Sequence, residues 1–148
     1  MKTLKGFTFI ETTVVLVIIA FVSAFSFPFF AKYLNRTKLE SASRDITSTL
    51  RVARSYAITR NEDYFVKFEL DGSGLYWIAK NLTPDTPEKK EKLPQAVTFQ
   101  AVSPTTKIIF NPRGALTSGI NSQIILRHKN GNEKWIDIYA TTGTVKIK

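Results

Sequence analysis

The chain has 148 residues and no cysteine, which excludes a disulfide framework, a thiolate metal site and a thiol nucleophile. Its formal charge is +9, from 21 Lys and Arg against 12 Asp and Glu, so anionic partners are favoured in association without any one being specified. The length suits one domain with a modest core, built without covalent crosslinks.

Residues 1–6 form a short basic start, with Lys2 and Lys5, that ends in Gly6. From Thr12 to Ala31, 20 consecutive residues carry no formal charge and are rich in Val, Ile, Phe and Ala. At ~1.5 Å per residue such a helix covers about 30 Å, the thickness of a bilayer's hydrocarbon core. A cleaved secretory signal has a shorter apolar region and small residues at its cut site. Here Phe27-Pro28-Phe29-Phe30 is a poor site, and Ala24-Phe25-Ser26 is the nearest approach to one. Lys2 and Lys5 favour a cytoplasmic N-terminus, whereas Lys32, Arg36, Lys38 and Arg44 argue the other way, so charge alone leaves the topology open. Glu11 stands at the front of the run. A carboxylate in lipid is costly and needs a partner, unless it lies at the interface and reaches the headgroups. Pro28 removes a helix hydrogen bond and predicts a kink or local melting near the end of the run.

Residues 31–60 contain neither Gly nor Pro, and Leu39, Ala42, Ile46, Leu50, Ala53 and Ala57 recur at steps of 3 and 4. This is a helical stripe, and it predicts one helix from about Phe7 to Arg60, roughly 80 Å long, whose second half packs against the remainder. The remainder reads as strands. Asp63–Leu70 and Leu75–Lys80 flank the turn Asp71-Gly72-Ser73-Gly74, a hairpin. Thr83–Pro94 carries three prolines and is expected to be a mobile polar loop. Further strands are expected at Ala96–Gln100, Lys107–Phe110, Ile120–Arg127, Lys134–Tyr139 and Thr144–Lys148, with a turn at Asn130-Gly131. One long helix laid on antiparallel strands, an α+β class, is the economical architecture.

The positive charge lies in two blocks. Residues 32–60 and 107–148 each hold seven Lys or Arg against two acids, while 61–106 hold five against seven. The last block supplies candidate nucleic-acid contacts in Lys107, Arg113, Arg127, Lys129, Lys134, Lys146 and Lys148. No hydrolase, zincin, acyl-serine or phosphate-loop motif occurs. His128, the single histidine, lacks a second ligand at metal spacing and is expected in solvent before a turn. Asp85, Glu88 and Glu91 are diluted by lysines and make a weak calcium candidate. No catalytic residue, metal or cofactor is therefore expected.

Lys5-Gly6-Phe7-Thr8-Phe9-Ile10-Glu11, followed by the apolar run, resembles the class III signal of type IV pilins and pseudopilins. Arg54-Ser55-Tyr56-Ala57-Ile58-Thr59-Arg60-Asn61 resembles the GspH/FimT group of minor pseudopilins. So do Ile109-Phe110-Asn111-Pro112-Arg113-Gly114 with Ser118-Gly119, and the closing Gly143-Thr144-Val145-Lys146-Ile147. The resemblance implies a pilin-like fold with a leader at 1–6, a membrane and assembly segment at 7–31, and a periplasmic head at 32–148. It implies cleavage after Gly6 by a prepilin peptidase, methylation of the new Phe7 amine, and a register-setting pairing of Glu11 with a neighbouring subunit's N-terminus. A proline near the depth of Pro28 also belongs to the pattern. The implied role is structural, in a type II secretion pseudopilus or a type IV pilus. The partners are other pilins or pseudopilins, and the N-terminus is cytoplasmic in a single pass of the inner membrane. The alternative is a FimT-like minor pilin that binds DNA during natural transformation. For that reading the tail departs from the expected Gly-Arg-x-Arg pattern, having Thr144 and Lys146 in its place.

Overall fold

In the computed structural model, which describes residues 6, 8–82 and 86–148 and leaves out the side chains of 25–32, the first element is a helix, α1, over Phe9–Arg60. Thr8 caps it. The Thr8 hydroxyl oxygen accepts the Glu11 N–H at 3.3 Å, and the Thr8 N–H donates to Glu11 Oε2 at 3.5 Å. This reciprocal capping box satisfies two donors that a helix start leaves orphaned. The other end stops at Asn61, whose φ of 53° takes the left-handed conformation that asparagine tolerates. The Glu62 N–H then closes back on the Ala57 carbonyl at 3.2 Å.

The chain divides into two compact units, Met1–Arg36 and Thr37–Lys148. In the first, every side chain from Thr8 to Ala24 is exposed, including Phe9, Ile10, Leu16, Ile18 and Phe21. Among the described residues no helix is long and apolar enough to cross a membrane. The expected run extends to Ala31, so the side chains of its last third, Pro28 among them, lie outside what is described, as does Phe7.

The second unit holds two antiparallel four-stranded sheets. Strands β1 (Tyr64–Phe68), β2 (Leu75–Lys80), β3 (Pro87–Lys92) and β5 (Lys107–Phe110) form one, in the order β3-β2-β1-β5. The other, in the order β4-β6-β7-β8, contains β4 (Val97–Ser103), β6 (Ser122–His128), β7 (Glu133–Ile138) and β8 (Val145–Ile147). The helical stripe is buried throughout, and Ala42, Ile46, Leu50, Ala53 and Ala57 are fully so. It shares one core with the inward residues of both sheets, among them Val66, Ile78, Phe110, Ile124, Leu126 and Ile136. Each large aliphatic side chain buried this way contributes about 1.5–3 kcal/mol relative to exposure. Phe99 of β4 joins the sheets, edge-on to Phe68 at 5.2 Å and to Tyr76 at 6.0 Å between ring centres.

Two expectations are corrected. Residues 87–92 are a strand and not a mobile loop: Leu75 opposes Lys92 and Trp77 opposes Lys90 across the β2–β3 ladder, with a bulge at Ile78/Ala79. Proline and lysine on an outermost strand discourage pairing with another chain, and that edge chemistry reads as loop composition. His128 is buried and not in solvent, only 4% exposed. The period of two along β6 turns Ser122, Ile124, Leu126 and His128 to the same inner face. His128 Nδ1 accepts the Asn130 N–H at 3.2 Å, and Nε2 has no hydrogen-bond partner among the described residues.

Candidate functional site

The first candidate surface is the start of α1. Gly6 is exposed, and Glu11 is held at the helix start by the Thr8 cap, with its carboxylate at the surface. Thr12 and Thr13 return their hydroxyls to the carbonyls of Thr8 and Phe9, at 3.3 and 2.9 Å. Local backbone bonding thus absorbs the polar groups of this turn, and the apolar side chains beyond remain without cover from the chain itself. The sequence reading overlooked Thr8, although Thr8-Phe9-Ile10-Glu11 carries the T-x-x-E signal of a capping box.

A second constellation anchors the head. Arg54, on the helix, donates from Nε to the Gly114 carbonyl at 2.9 Å. Gly114 and Gly143 both have positive φ, 77° and 62°, and the Arg54 side chain passes close to both. A Cβ on Gly143 would stand 2.0 Å from the Gly114 carbonyl oxygen and 2.9 Å from Arg54 Nε. One on Gly114 would meet Ile58 Cδ1 at 2.8 Å. The Asn111 side chain holds the same turn by accepting the N–H groups of Arg113 and Ala115, at 3.0 and 3.1 Å. The motifs at 54–61, 109–114 and 143–147 therefore meet in space: they join helix, turn and tail.

A third set ties β3 to the helix. Arg60 bonds to Tyr64 Oη and to Glu88, the latter at 2.8 Å, while its guanidinium lies 4.4 Å over the Tyr56 ring. Tyr64 Oη donates to Glu88 at 2.9 Å. Glu91 accepts from Thr49 at 3.0 Å and from Tyr76 at 2.8 Å, and pairs with Lys89 at 2.5 Å. Burial pushes the Glu91 carboxyl up, but the hydrogen bonds from Lys89, Tyr76 and Thr49 outweigh it and hold the group below the usual carboxylate range. Burial, with the Glu91 charge beside it, pushes the Tyr76 phenol well above its ordinary value. Glu88 and Glu91 are thus engaged within the fold, and Asp85 lies outside the described residues. Among the described residues no group of three or more acidic or histidine side chains is placed to hold a metal.

The basic block of the last third is spread over several elements. Lys107 lies on β5 with Nζ 3.9 Å over the Phe65 ring. Arg113 projects from the Asn111 turn. Arg127 pairs with Glu133 at 3.8 Å, and Lys148 pairs with Asp137 at 2.6 Å. Lys146 lies 5.5 Å over Tyr139. Lys134 lines a recess with Glu40 and Arg44 of the helix, and Lys129 is in the turn after β6. These cations come from several elements, with Arg127, Lys146 and Lys148 on the outer face of one sheet, and Arg127 and Lys148 are met by acids.

A helix whose second half packs under antiparallel sheets, and whose start through Ala24 is exposed, defines a pilin-like protein. The profile of the family described as type II transport protein GspH matches residues 42–142, more than two thirds of the chain, and the chain belongs to that family. Its fold is similar to that of the type IV minor pilin FimU of Pseudomonas aeruginosa. The TM-score is 0.66 at 16% identity, over 78% of this chain and 92% of that one. It is also similar to the minor pseudopilin EpsH from the type 2 secretion system of Vibrio cholerae. There the TM-score is 0.59 at 11% identity, over 75% and 96% of the two chains. No curated protein matches the chain by sequence.

Proposed function

We propose that the chain is a minor pilin-like subunit that is held in the inner membrane by residues 7–31 and then built into an envelope fibre through the same helix. The observation that carries this reading is the uniformly exposed, apolar-rich stretch from Thr8 to Ala24. A helix apolar on all sides needs an apolar surround, which lipid supplies first and the helices of other subunits supply later. The leader ends at Gly6, a membrane peptidase cuts there, and the Phe7 amine is methylated. Glu11 leaves its cap on Thr8 to pair with the N-terminal amine of a neighbouring subunit. In low dielectric that pairing sets the axial register, because an unpaired carboxylate there is costly. Pro28 loosens the helix where it leaves the bilayer. The head, outside the membrane, presents contacts to other subunits. The role is structural, and the fibre is a type II secretion pseudopilus or a type IV pilus.

The test is the mass of the mature N-terminus after coexpression with a prepilin peptidase. The expected product begins at Phe7 and carries one added methyl group. A chain recovered intact from Met1 would contradict the processing step, and Gly6→Leu is expected to block it.

A further inference from the structure

We propose that a cavity on the head, between α1, the β1–β2 turn and the loop before β4, binds the phosphate of an anionic phospholipid headgroup. The cavity has a volume of about 440 Å³, and its lining includes Lys38, Ser73, Lys92, Gln95, Ala96 and Lys129. Three lysines thus line one space, from the helix, from the end of β3 and from the turn after β6. No acid lines it. Among the described residues none of the three lysines forms an ion pair.

The acids nearest in sequence are turned to other uses. Asp71 accepts the Ser73 N–H at 2.8 Å and so shapes the turn, while Glu91 serves Thr49, Tyr76 and Lys89. Three lysines lining one cavity without an acid among them favour an anionic counter-charge there. The backbone fixes the turn that carries Lys129. Ala96 adopts a φ of 76°, in the left-handed region that non-glycine residues rarely occupy, and its carbonyl accepts the Lys129 N–H at 2.9 Å. Ser73 Oγ accepts the Leu75 N–H at 3.2 Å, and its hydroxyl bonds the Asp71 carboxyl and holds that group below its usual range, so the turn is closed on itself. Lysine ammonium groups and one amide suit a phosphate's oxygens better than a planar carboxylate, which arginine forks would match.

The source of the phosphate follows from chain length. Lys38 comes seven residues after Ala31, the end of the apolar run, so the two lie within about 25 Å whatever the arrangement of the units. Lys32 and Arg36 stand between them, and cations beside a membrane segment are drawn to anionic headgroups. In the fibre the lipid is left behind, so the site acts on the subunit before assembly. This step rests on the membrane reading of residues 7–31.

The test uses the full chain in neutral detergent micelles, with lipid adducts counted by native mass spectrometry. The probes are phosphatidylglycerol, phosphatidylcholine and inorganic phosphate. The expected result is a preference for phosphatidylglycerol that falls on the order of 100-fold in Lys38→Gln/Lys92→Gln/Lys129→Gln. It should survive in the triple arginine variant at those positions and in the equal-charge control Lys67→Gln/Lys134→Gln/Lys146→Gln. Equal retention of both lipids, or equal loss in the control, overturns the proposal. Lysine-dependent binding of inorganic phosphate without phosphatidylglycerol assigns the cavity to a free anion and overturns the lipid source. The micelle assay does not require the apolar run to span a bilayer. Resistance of the full chain to alkaline extraction from membranes reports on that separately.

Discussion

Arg54 and the two glycines it passes carry the tightest steric constraint in the head. Gly143→Ala forces a Cβ against the Gly114 carbonyl at 2.0 Å and also keeps a positive φ, so both terms act together. The expected cost is about 3 kcal/mol or more, read as a lowered urea midpoint. Gly119→Ala is the matched comparison. Its φ is 66° but a Cβ there meets open space, so the expected cost is only about 1–2 kcal/mol. Equal losses in the two variants would show that conformation, and not the close approach to Arg54, dominates. Arg54→Met keeps much of the stem and removes the donor to the Gly114 carbonyl, for an expected loss of about 1–3 kcal/mol. These positions were legible as motifs. Their convergence was not, because residues 54, 114 and 143 meet only through tertiary packing.

At the scale of elements, β3 is where sequence pattern and structure part. Glu88, Lys89, Lys90, Glu91 and Lys92 show no apolar alternation, so a period of two had nothing to register. What recruits the segment is polar: Arg60 and Tyr64 hold Glu88, while Thr49 and Tyr76 hold Glu91. The pH dependence follows with a definite sign. The native Glu91 carboxyl titrates below its ordinary value, so the unfolded chain binds the proton first. Its contribution is complete above about pH 4.3 and is lost as pH falls through the native value. Tyr76 behaves oppositely. Its native phenol titrates above about 10, so its contribution is complete below that pH and is lost as pH rises further. Thermal unfolding from pH 3 to 11 should show Glu91→Gln with a shallower acid limb and Tyr76→Phe with a shallower alkaline one. Unchanged limbs would mean that β3 is held by its ladder alone. The stripe Leu39–Ala57 and most other strands were legible because each has one buried face with its own period. His128 was misread because a turn signal followed it, although the β6 alternation placed it inside.

The whole molecule is two units with opposite relations to solvent. Thr37–Lys148 buries its apolar residues in a core of its own, whereas the first unit leaves Phe9, Ile10, Leu16 and Phe21 bare. That contrast was legible at once, since 20 uncharged residues have no polar face to offer water. The capping of Glu11 by Thr8 refines the account of the acid. In the lone subunit a local N–H meets the carboxylate, at a long 3.5 Å, and a neighbour's ammonium group would make the stronger, charge-assisted bond. The direct test compares wild type with Glu11→Gln and Glu11→Leu in cells that assemble the fibre, by measuring the subunit in sheared fibres against the subunit in membranes. The account predicts equal amounts in membranes and a loss of the mutants from fibres, since insertion needs only the apolar run and assembly needs the charge. Equal incorporation of wild type and both mutants would contradict it.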